Sequence, residues 1–559
     1  MQRTMQFRSH TKLFLTLACI AASSGAVIAQ GPPPPLGPPP PPPLGNPTTP
    51  NKVLLGKTLF WDEQLSSTKT VACATCHIPE AGGADPRTSS PASMHPGPNG
   101  ILGDADDIGG SMGVPRSLAS GLYSSDPFFG LHVQVTGRKS QSVVNSAYNP
   151  NQFWDGRAPG TFVDPVTQAV IHPNGASLES QALGPVVSSV EMAHDGRSIQ
   201  EFVARVAASR PLALSPQLSA DLVPFVANRS YPDLFALAFG TPDVTGVRIA
   251  QAIAAYERTQ FSNQTPFDSF LAGNPGALTP LENQGRQIFN SPQANCLVCH
   301  GGNLLTNQTF QYIGVRPQAE DIGRMAVTGN IQDQGRMRVP SLRNVELRGS
   351  YFHNGRFTTL EEVVAFYNRG GDFGGPNKNP AIQPLGLTLQ QQQALVAFLR
   401  RPLTDPRVAN AQPPFDHPQL YATSTRVPQP MGNPTAGSGG FEPEIIALEP
   451  PLVGNPSFTL GVQGGLGDAQ VVLAIDTDST AGTPFGGATR YVALSPNLVV
   501  VRAGRTNGTG PGAGWRSVNL AIPNDPGLIG QTRYAQWFVL DLGAGHRFAA
   551  TRAVAYTFF

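Results

Sequence analysis

Cys73-Ala74-Thr75-Cys76-His77 and Cys296-Leu297-Val298-Cys299-His300 are the two stretches from which the rest of the chain is read. Both have the form Cys-x-x-Cys-His, and together they use four of the five cysteines in 559 residues. In such a pentapeptide two thiols can add to the vinyl groups of one haem while the adjacent histidine is held under the iron as its axial ligand. Two covalently bound c-type haems follow, attached through Cys73, Cys76, Cys296 and Cys299, with His77 and His300 as iron ligands. The competing readings are disulfides or a single tetrathiolate zinc site. Paired zinc halves normally stand about 15 to 20 residues apart, and Cys76 and Cys296 lie far outside that range. A redox Cys-x-x-Cys accounts for neither the histidine nor the duplication.

The amino terminus agrees with that chemistry. Arg3, Arg8 and Lys12 precede an apolar run from Leu13 to Ile20, and small residues lead to Val27-Ile28-Ala29, the pattern of a signal peptide over residues 1–29. The mature chain is therefore expected in the periplasm or outside the cell. An uncleaved span needs about twenty apolar residues, and Ser23, Ser24 and Gly25 interrupt this one, so the chain is not read as an integral membrane protein. Cys19, the unpaired cysteine, falls in the discarded peptide. With 13% charged residues and a net charge of +1, there is no electrostatic case for nucleic acid or a membrane surface. Among 55 prolines many crowd between Gly31 and Pro50, where runs such as Pro39 to Pro43 favour extended polyproline II, so residues 30–51 read as a semi-rigid spacer.

Pattern changes divide the remainder. The first motif lies in a loop-rich block, residues 52–245, with helical stretches near Ile199 to Ala208 and Tyr231 to Phe239. A second block, residues 246–405, opens with Ile249, Ile253 and Tyr256 at helical spacing. In it Thr359 with Glu362 and Thr388 with Gln391 form capping-box patterns ahead of apolar runs, which read as haem-packing or ordinary core helices. After a proline-rich linker, residues 406–440, the period changes. Phe458 to Val462, Val471 to Ile475, Tyr491 to Ala493, Leu498 to Val501 and Gln536 to Leu540 are short β-type runs separated by Gly, Asn, Asp and Pro. The expected fold is mostly α, with two cytochrome c-like haem domains and a small all-β, sandwich-like module at residues 441–559. That module has no cysteine and only His546 among its histidines, and attachment or partner binding is its default role.

Leu55-Gly56-Lys57-Thr58-Leu59-Phe60-Trp61-Asp62, Leu65-Ser66 and Asn151-Gln152-Phe153-Trp154-Asp155-Gly156-Arg157-Ala158 surround the first motif; Gln181-Ala182-Leu183-Gly184-Pro185 and Val190-Glu191-Met192 follow. Pro340-Ser341-Leu342-Arg343-Asn344-Val345 and Tyr351-Phe352-His353-Asn354-Gly355 follow the second. In this order the segments resemble the bacterial di-haem cytochrome c peroxidase and MauG family over about residues 52–425. The resemblance leaves the proline spacer and the β module unexplained. It implies that hydrogen peroxide reacts at the first haem and that the second haem handles electrons. It also implies that Glu191 is the catalytic carboxylate, Gln181 the distal amide that orients peroxide, and Trp154 an electron relay between the irons. Without it each would be read as an ordinary polar or packing residue.

Tyr367 is the most discriminating position. The conventional peroxidases of the family place methionine there as the sixth ligand of the second haem, whereas MauG-like members place tyrosine. A phenolate favours Fe(III) and a thioether favours Fe(II), so Tyr367 implies a low-potential second haem that shares oxidising equivalents with the first. The competing reading is that Tyr367 only packs on the haem. Other family features are not carried over. His132 and His95 compete for the histidine that gates the first haem, because the segment from Ala81 to Gly130 is much longer than in relatives. Lys139 stands where the family uses an asparagine to hold calcium, which makes a calcium ion doubtful. An extra stretch between Arg157 and Gln181, containing His172, is expected at the pocket entrance. Three functions are in play: MauG-like oxidation of a partner protein or small organic molecule, peroxide scavenging with electrons from a small redox protein, and electron transfer without catalysis.

Overall fold

The computed structural model describes residues 35–559. The signal-peptide reading of residues 1–29 and Cys19 lie outside the described residues.

The helices used below are α1 (Pro50–Trp61), α2 (Cys73–Cys76), α3 (Ser177–Ala182), α4 (Gly246–Glu257), α5 (Pro280–Phe289), α6 (Leu297–His300), α7 (Leu360–Asn368) and α8 (Leu389–Leu399). Each haem motif is backed by a crossed pair, α1 on α4 for the first and α5 on α8 for the second. A glycine makes both crossings possible. A Cβ at Gly56 would lie 1.9 Å from the Ala252 carbonyl oxygen, and one at Gly285 would lie 1.9 Å from that of Ala394. Only a residue without a side chain lets two backbones approach so closely. Phe60 and Phe289 stand four residues after these glycines, both buried. The repetition extends to irregular backbone, where Asn145 (φ 63°) matches Asn344 (φ 56°) and Phe153 (φ 68°) matches Phe352 (φ 63°). Positive φ is uncommon outside glycine and strained for a bulky side chain, so its recurrence at paired phenylalanines marks one supersecondary unit used twice.

The capping boxes form as expected. Thr359 accepts from the Glu362 amide and Thr388 from the Gln391 amide, with the reciprocal side-chain bonds present. The cores follow the two motifs. One cluster gathers Leu55, Leu59, Phe202, Phe235, Ile249 and Tyr256 around the first, and another gathers Phe267, Phe289, Val364, Leu395 and Phe398 around the second.

The carboxy-terminal strands are β1 (Gln429–Met431), β2 (Glu444–Ile446), β3 (Thr459–Gly465), β4 (Gln470–Asp476), β5 (Ser479–Phe485), β6 (Ala488–Val492), β7 (Val499–Arg505), β8 (Gly514–Asn519), β9 (Thr532–Leu540), β10 (Phe548–Ala550) and β11 (Ala553–Thr557). They make a three-stranded sheet, β2-β3-β8, facing a larger one, β7-β4-β9-β11-β1, with β10 also on β9. Leu460 and Val462 of one sheet meet Val471, Leu473, Trp537 and Val539 of the other. Strand β9 is buried on both faces from Ala535 to Val539 because Ala488 and Val492 of the β5-β6 hairpin pack on its outer side against Phe538. The sandwich expectation therefore matches the architecture. The mostly-α expectation does not describe the whole chain, since these sheets occupy most of the segment from Gln429 to Thr557 and short ladders punctuate the haem regions.

Two segments read as linkers lie against the body. Leu36 is 6% exposed and Asn46 is fully buried, its Nδ2 donating to Glu179 Oε1 (2.8 Å) and the Gln251 carbonyl (3.1 Å), so residues 35–49 do not stand off as a spacer. Phe415, Leu420 and Tyr421 are likewise buried. The β sandwich is docked on the long segment after the first motif. Tyr123 donates to Glu449 Oε1 (3.2 Å), the Ser517 hydroxyl donates to the Tyr123 carbonyl (3.1 Å), and Leu131 packs on Ile446. Lys69 Nζ donates to Ser457 Oγ at 2.6 Å.

Candidate functional site

Two large cavities face the two motifs. The first is lined by Cys73, Cys76 and His77 from α2 and its C-terminal turn, by Gln181 of α3, and by Glu191, Arg157 and Trp154. The second is lined by Cys296 at the N-cap of α6, by Cys299 and His300 within it, by Tyr367 of α7, and again by Trp154. Open mouths included, they enclose about 2110 and 2090 Å³. The four thiols are free and divide two and two between the cavities, which excludes a shared tetrathiolate.

The histidines are set up alike. His77 Nδ1 lies 3.2 Å from the Gly83 carbonyl and His300 Nδ1 lies 3.0 Å from the Leu305 carbonyl. A carbonyl only accepts, so each Nδ1 carries the proton and each Nε2 keeps a lone pair for a metal, the outer-sphere arrangement usual for metal-bound imidazole. Burial pushes both rings towards the neutral form, His300 down to about 4. Free paired thiols, a neutral imidazole beside them and a large cavity in front fit a haem at each place.

Glu191 sits where Gly113 allows it, because a Cβ on Gly113 would fall 1.9 Å from the Val190 carbonyl oxygen and 2.8 Å from Glu191 Cα. Burial pushes the Glu191 carboxyl above the ordinary range, while Arg157 and a hydrogen bond from Ser188 pull it back. Burial holds the Tyr367 phenol well above its usual value, so without a cation beside it the group is neutral. Tyr367 is ringed by Phe366 and Phe352, with centroids at 5.1 and 6.1 Å.

Trp154 is 8% exposed and belongs to the walls of both cavities. Its Nε1 donates to the Lys139 carbonyl at 2.9 Å, and its ring meets His353 edge-on at 6.2 Å. Lys139 is 4% exposed, its ammonium donates to the Ser350 carbonyl, and burial with Arg348 nearby pushes its pKa down to about 7.

His132 and His95 separate. His132 Nε2 lies 3.0 Å from Glu444 Oε2 on β2, whereas His95 lines the first cavity and its buried Nδ1 has no partner. His172 lies away from both cavities' walls, packed on Phe162 with Nε2 3.0 Å from the Gln251 amide. Sequence reasoning missed three lining residues: Glu257, pushed up to about 8 by burial, His353, pushed down to about 4 by burial, and Met337 in the second cavity. The repeated Gly-x-x-x-Phe of α1 and α5 was the available signal for two equivalent units.

The family described as di-haem cytochrome c peroxidase matches residues 50–276. The cytochrome-c peroxidase IdrP1 of Denitromonas iodatirespirans is 31% identical over 430 residues, which is 71% of this chain and 93% of that protein. The methylamine utilization protein MauG of Methylophilus methylotrophus is 28% identical over 360 residues, 64% of this chain and 84% of that one. A crystal structure of a MauG-like protein associated with microbial copper homeostasis aligns with 26% identity and a TM-score of 0.48, covering 68% of this chain and 96% of that one. Among the described residues no helix is long and apolar enough to cross a membrane. With two Cys-x-x-Cys-His sites facing twin cavities and a peroxidase relative matched over nearly its whole length, the chain belongs to the di-haem cytochrome c peroxidase family, which includes MauG, and is an oxidoreductase.

Proposed function

We propose that the chain is an exported, covalently di-haem enzyme that consumes hydrogen peroxide at the first site and shares the oxidising equivalents with a Tyr367-ligated second site. Its substrate is then a partner protein or a small organic molecule. The reading rests on one observation: His77, Gln181 and Glu191 line one cavity, His300 and Tyr367 line the other, and Trp154 borders both. When bound, the two haems supply irons able to take up the two oxidising equivalents of peroxide. Glu191 accepts the proton of one peroxide oxygen and returns it to the other, and a raised pKa suits a group that must do both near neutrality. The Gln181 amide offers a donor and an acceptor to orient the peroxide. Nδ1–H of His77 bonded to the Gly83 carbonyl makes Nε2 the stronger donor towards iron. The Trp154 indole is the oxidisable group in the shared wall.

The second reading, peroxide scavenging with electrons from a small redox protein, is favoured by Met337, whose thioether lines the second cavity. Redox titration separates the two. A phenolate ligand stabilises Fe(III), so Tyr367→Met should raise the lower midpoint potential, and Met337→Leu should leave it unchanged. If Met337→Leu lowers a potential and Tyr367→Met alters neither the potentials nor the peroxide-treated spectrum, the scavenger reading replaces this one.

A further inference from the structure

A line of side chains runs from His77 to the surface that the peroxide site does not use. Phe60 stands beside His77 with ring centroids 6.3 Å apart, and Tyr256 meets Phe60 at 5.3 Å. Trp61 Nε1 donates to the Tyr256 hydroxyl oxygen at 3.1 Å. The Trp61 ring lies flat on His417, centroids 4.1 Å apart and planes within 5°. His417 Nδ1 faces the Pro418 carbonyl at 2.9 Å, and Nε2 faces both Glu80 oxygens at 3.1 and 3.2 Å. Trp61 and Tyr256 are 2% and 1% exposed, while the Glu80 side chain is 39% exposed, so the line starts in the core and ends at solvent.

The duplicated unit supplies the comparison. Tyr256 lies four residues after Ala252 and Trp61 directly follows Phe60; the same steps from Ala394 and Phe289 in the second unit reach Phe398 and Asn290. Helix packing alone is thus satisfied by residues that do not give up an electron easily. Only the first unit places an indole and a phenol there.

We propose that Trp61, with Tyr256, His417 and Glu80 as positioning residues, is a one-electron exit from the first haem site to the surface, where a small electron-rich phenol is oxidised. The proposal rests on the peroxide chemistry assigned above to the first site. Trp61 gives one electron to the peroxide-oxidised site and is left as an indole radical cation. His417 Nδ1 donates to the Pro418 carbonyl, and the proton that Nε2 shares with the Glu80 carboxylate moves fully onto Glu80, which takes positive charge away from the ring stacked on the indole. A phenol at the surface then gives one electron to Trp61 and releases its proton, and Glu80 returns the proton to His417. Two passages use both equivalents of one peroxide, and two phenols with one peroxide give two phenoxyl radicals and two waters.

The test uses the di-haem protein, its Trp61→Phe and Glu80→Gln variants, hydrogen peroxide, and 2,6-dimethoxyphenol as donor. Rapid-freeze electron paramagnetic resonance without donor should show a protein radical that narrows in protein grown on indole-deuterated tryptophan and is lost in Trp61→Phe. Peptide mass spectrometry after repeated peroxide should find added oxygen on Trp61 in the parent. Glu80→Gln, which keeps the indole but cannot take the proton, should lower the radical yield and slow dimethoxyphenol oxidation. If the haem spectrum responds to peroxide in parent and Trp61→Phe alike, and the parent shows no added oxygen on Trp61 and either no tryptophan radical or one that survives in Trp61→Phe, the exit is overturned and the peroxide site stands. If the parent spectrum does not respond to peroxide at all, the peroxide site fails and the exit fails with it.

Discussion

Replacing Glu191 by glutamine exchanges one oxygen for an amide nitrogen at nearly constant volume. The backbone at that position is held by contact with Gly113, so the first cavity should persist and cyanide should still bind there. What disappears is the proton acceptor proposed for the first site. A positioned acid-base group contributes about 10² to 10⁴-fold, each factor of ten being about 1.4 kcal/mol in the barrier. Stopped-flow measurement of peroxide consumption should therefore show a loss of about 10²-fold or more. The pH profile gives a second signature. Burial raises the Glu191 pKa against the pull of Arg157 and Ser188, and only the ionised carboxylate accepts a proton. The parent rate should accordingly fall as pH drops through a value above that of an exposed glutamate. The variant should lack that acid limb. Equal rates in parent and variant across the profile would refute the role of Glu191. An acid limb retained by a slowed variant would assign the titration to another lining group, Glu257 or His95.

Pyridine haemochrome counting should find one haem after replacing Cys73 and Cys76 together, and the other after replacing Cys296 and Cys299; two haems surviving either change would sink the attachment. Trp154→Phe should keep both haems but confine the peroxide-induced spectral change to the first, and spread to the second at the parent rate would remove the indole from the path. Gly285→Ala gains about 1 kcal/mol of helix propensity, yet its Cβ would meet the Ala394 carbonyl at 1.9 Å and force α5 off α8. Overpacking costs about 1 to 3 kcal/mol, so the midpoint of thermal unfolding should fall; an unchanged or higher midpoint would show that the crossing relaxes freely.

The chemistry that lies within a few consecutive residues was open to reading from the chain itself. Cys73 to His77 and Cys296 to His300 read as haem-attachment motifs because each pattern lies within five consecutive residues, and Thr359 with Glu362 marks a helix start because a capping box spans one turn. Five of the eleven strands were legible for the same reason, each run alternating or buried within its own length, while the short edge and hairpin strands such as Glu444–Ile446 and Ser479–Phe485 were not. Which of His95 and His132 faces the first cavity was not, since loop length says nothing of where a ring points; His132 is held instead by Glu444 of the β sandwich. That residues 35–49 lie on the body depends on Asn46 meeting Glu179 and Gln251, far away in the chain. The stack of Trp61 on His417, whose partner Glu80 follows the first motif, is likewise invisible to any local pattern. The sequence by itself determined the two Cys-x-x-Cys-His motifs and much of the local secondary structure, because short-range geometry sets both. Only the tertiary structure decided which distant groups meet, Trp154 between two cavities and Trp61 between the first site and the surface, because those neighbours are chosen by packing between elements separated by hundreds of residues.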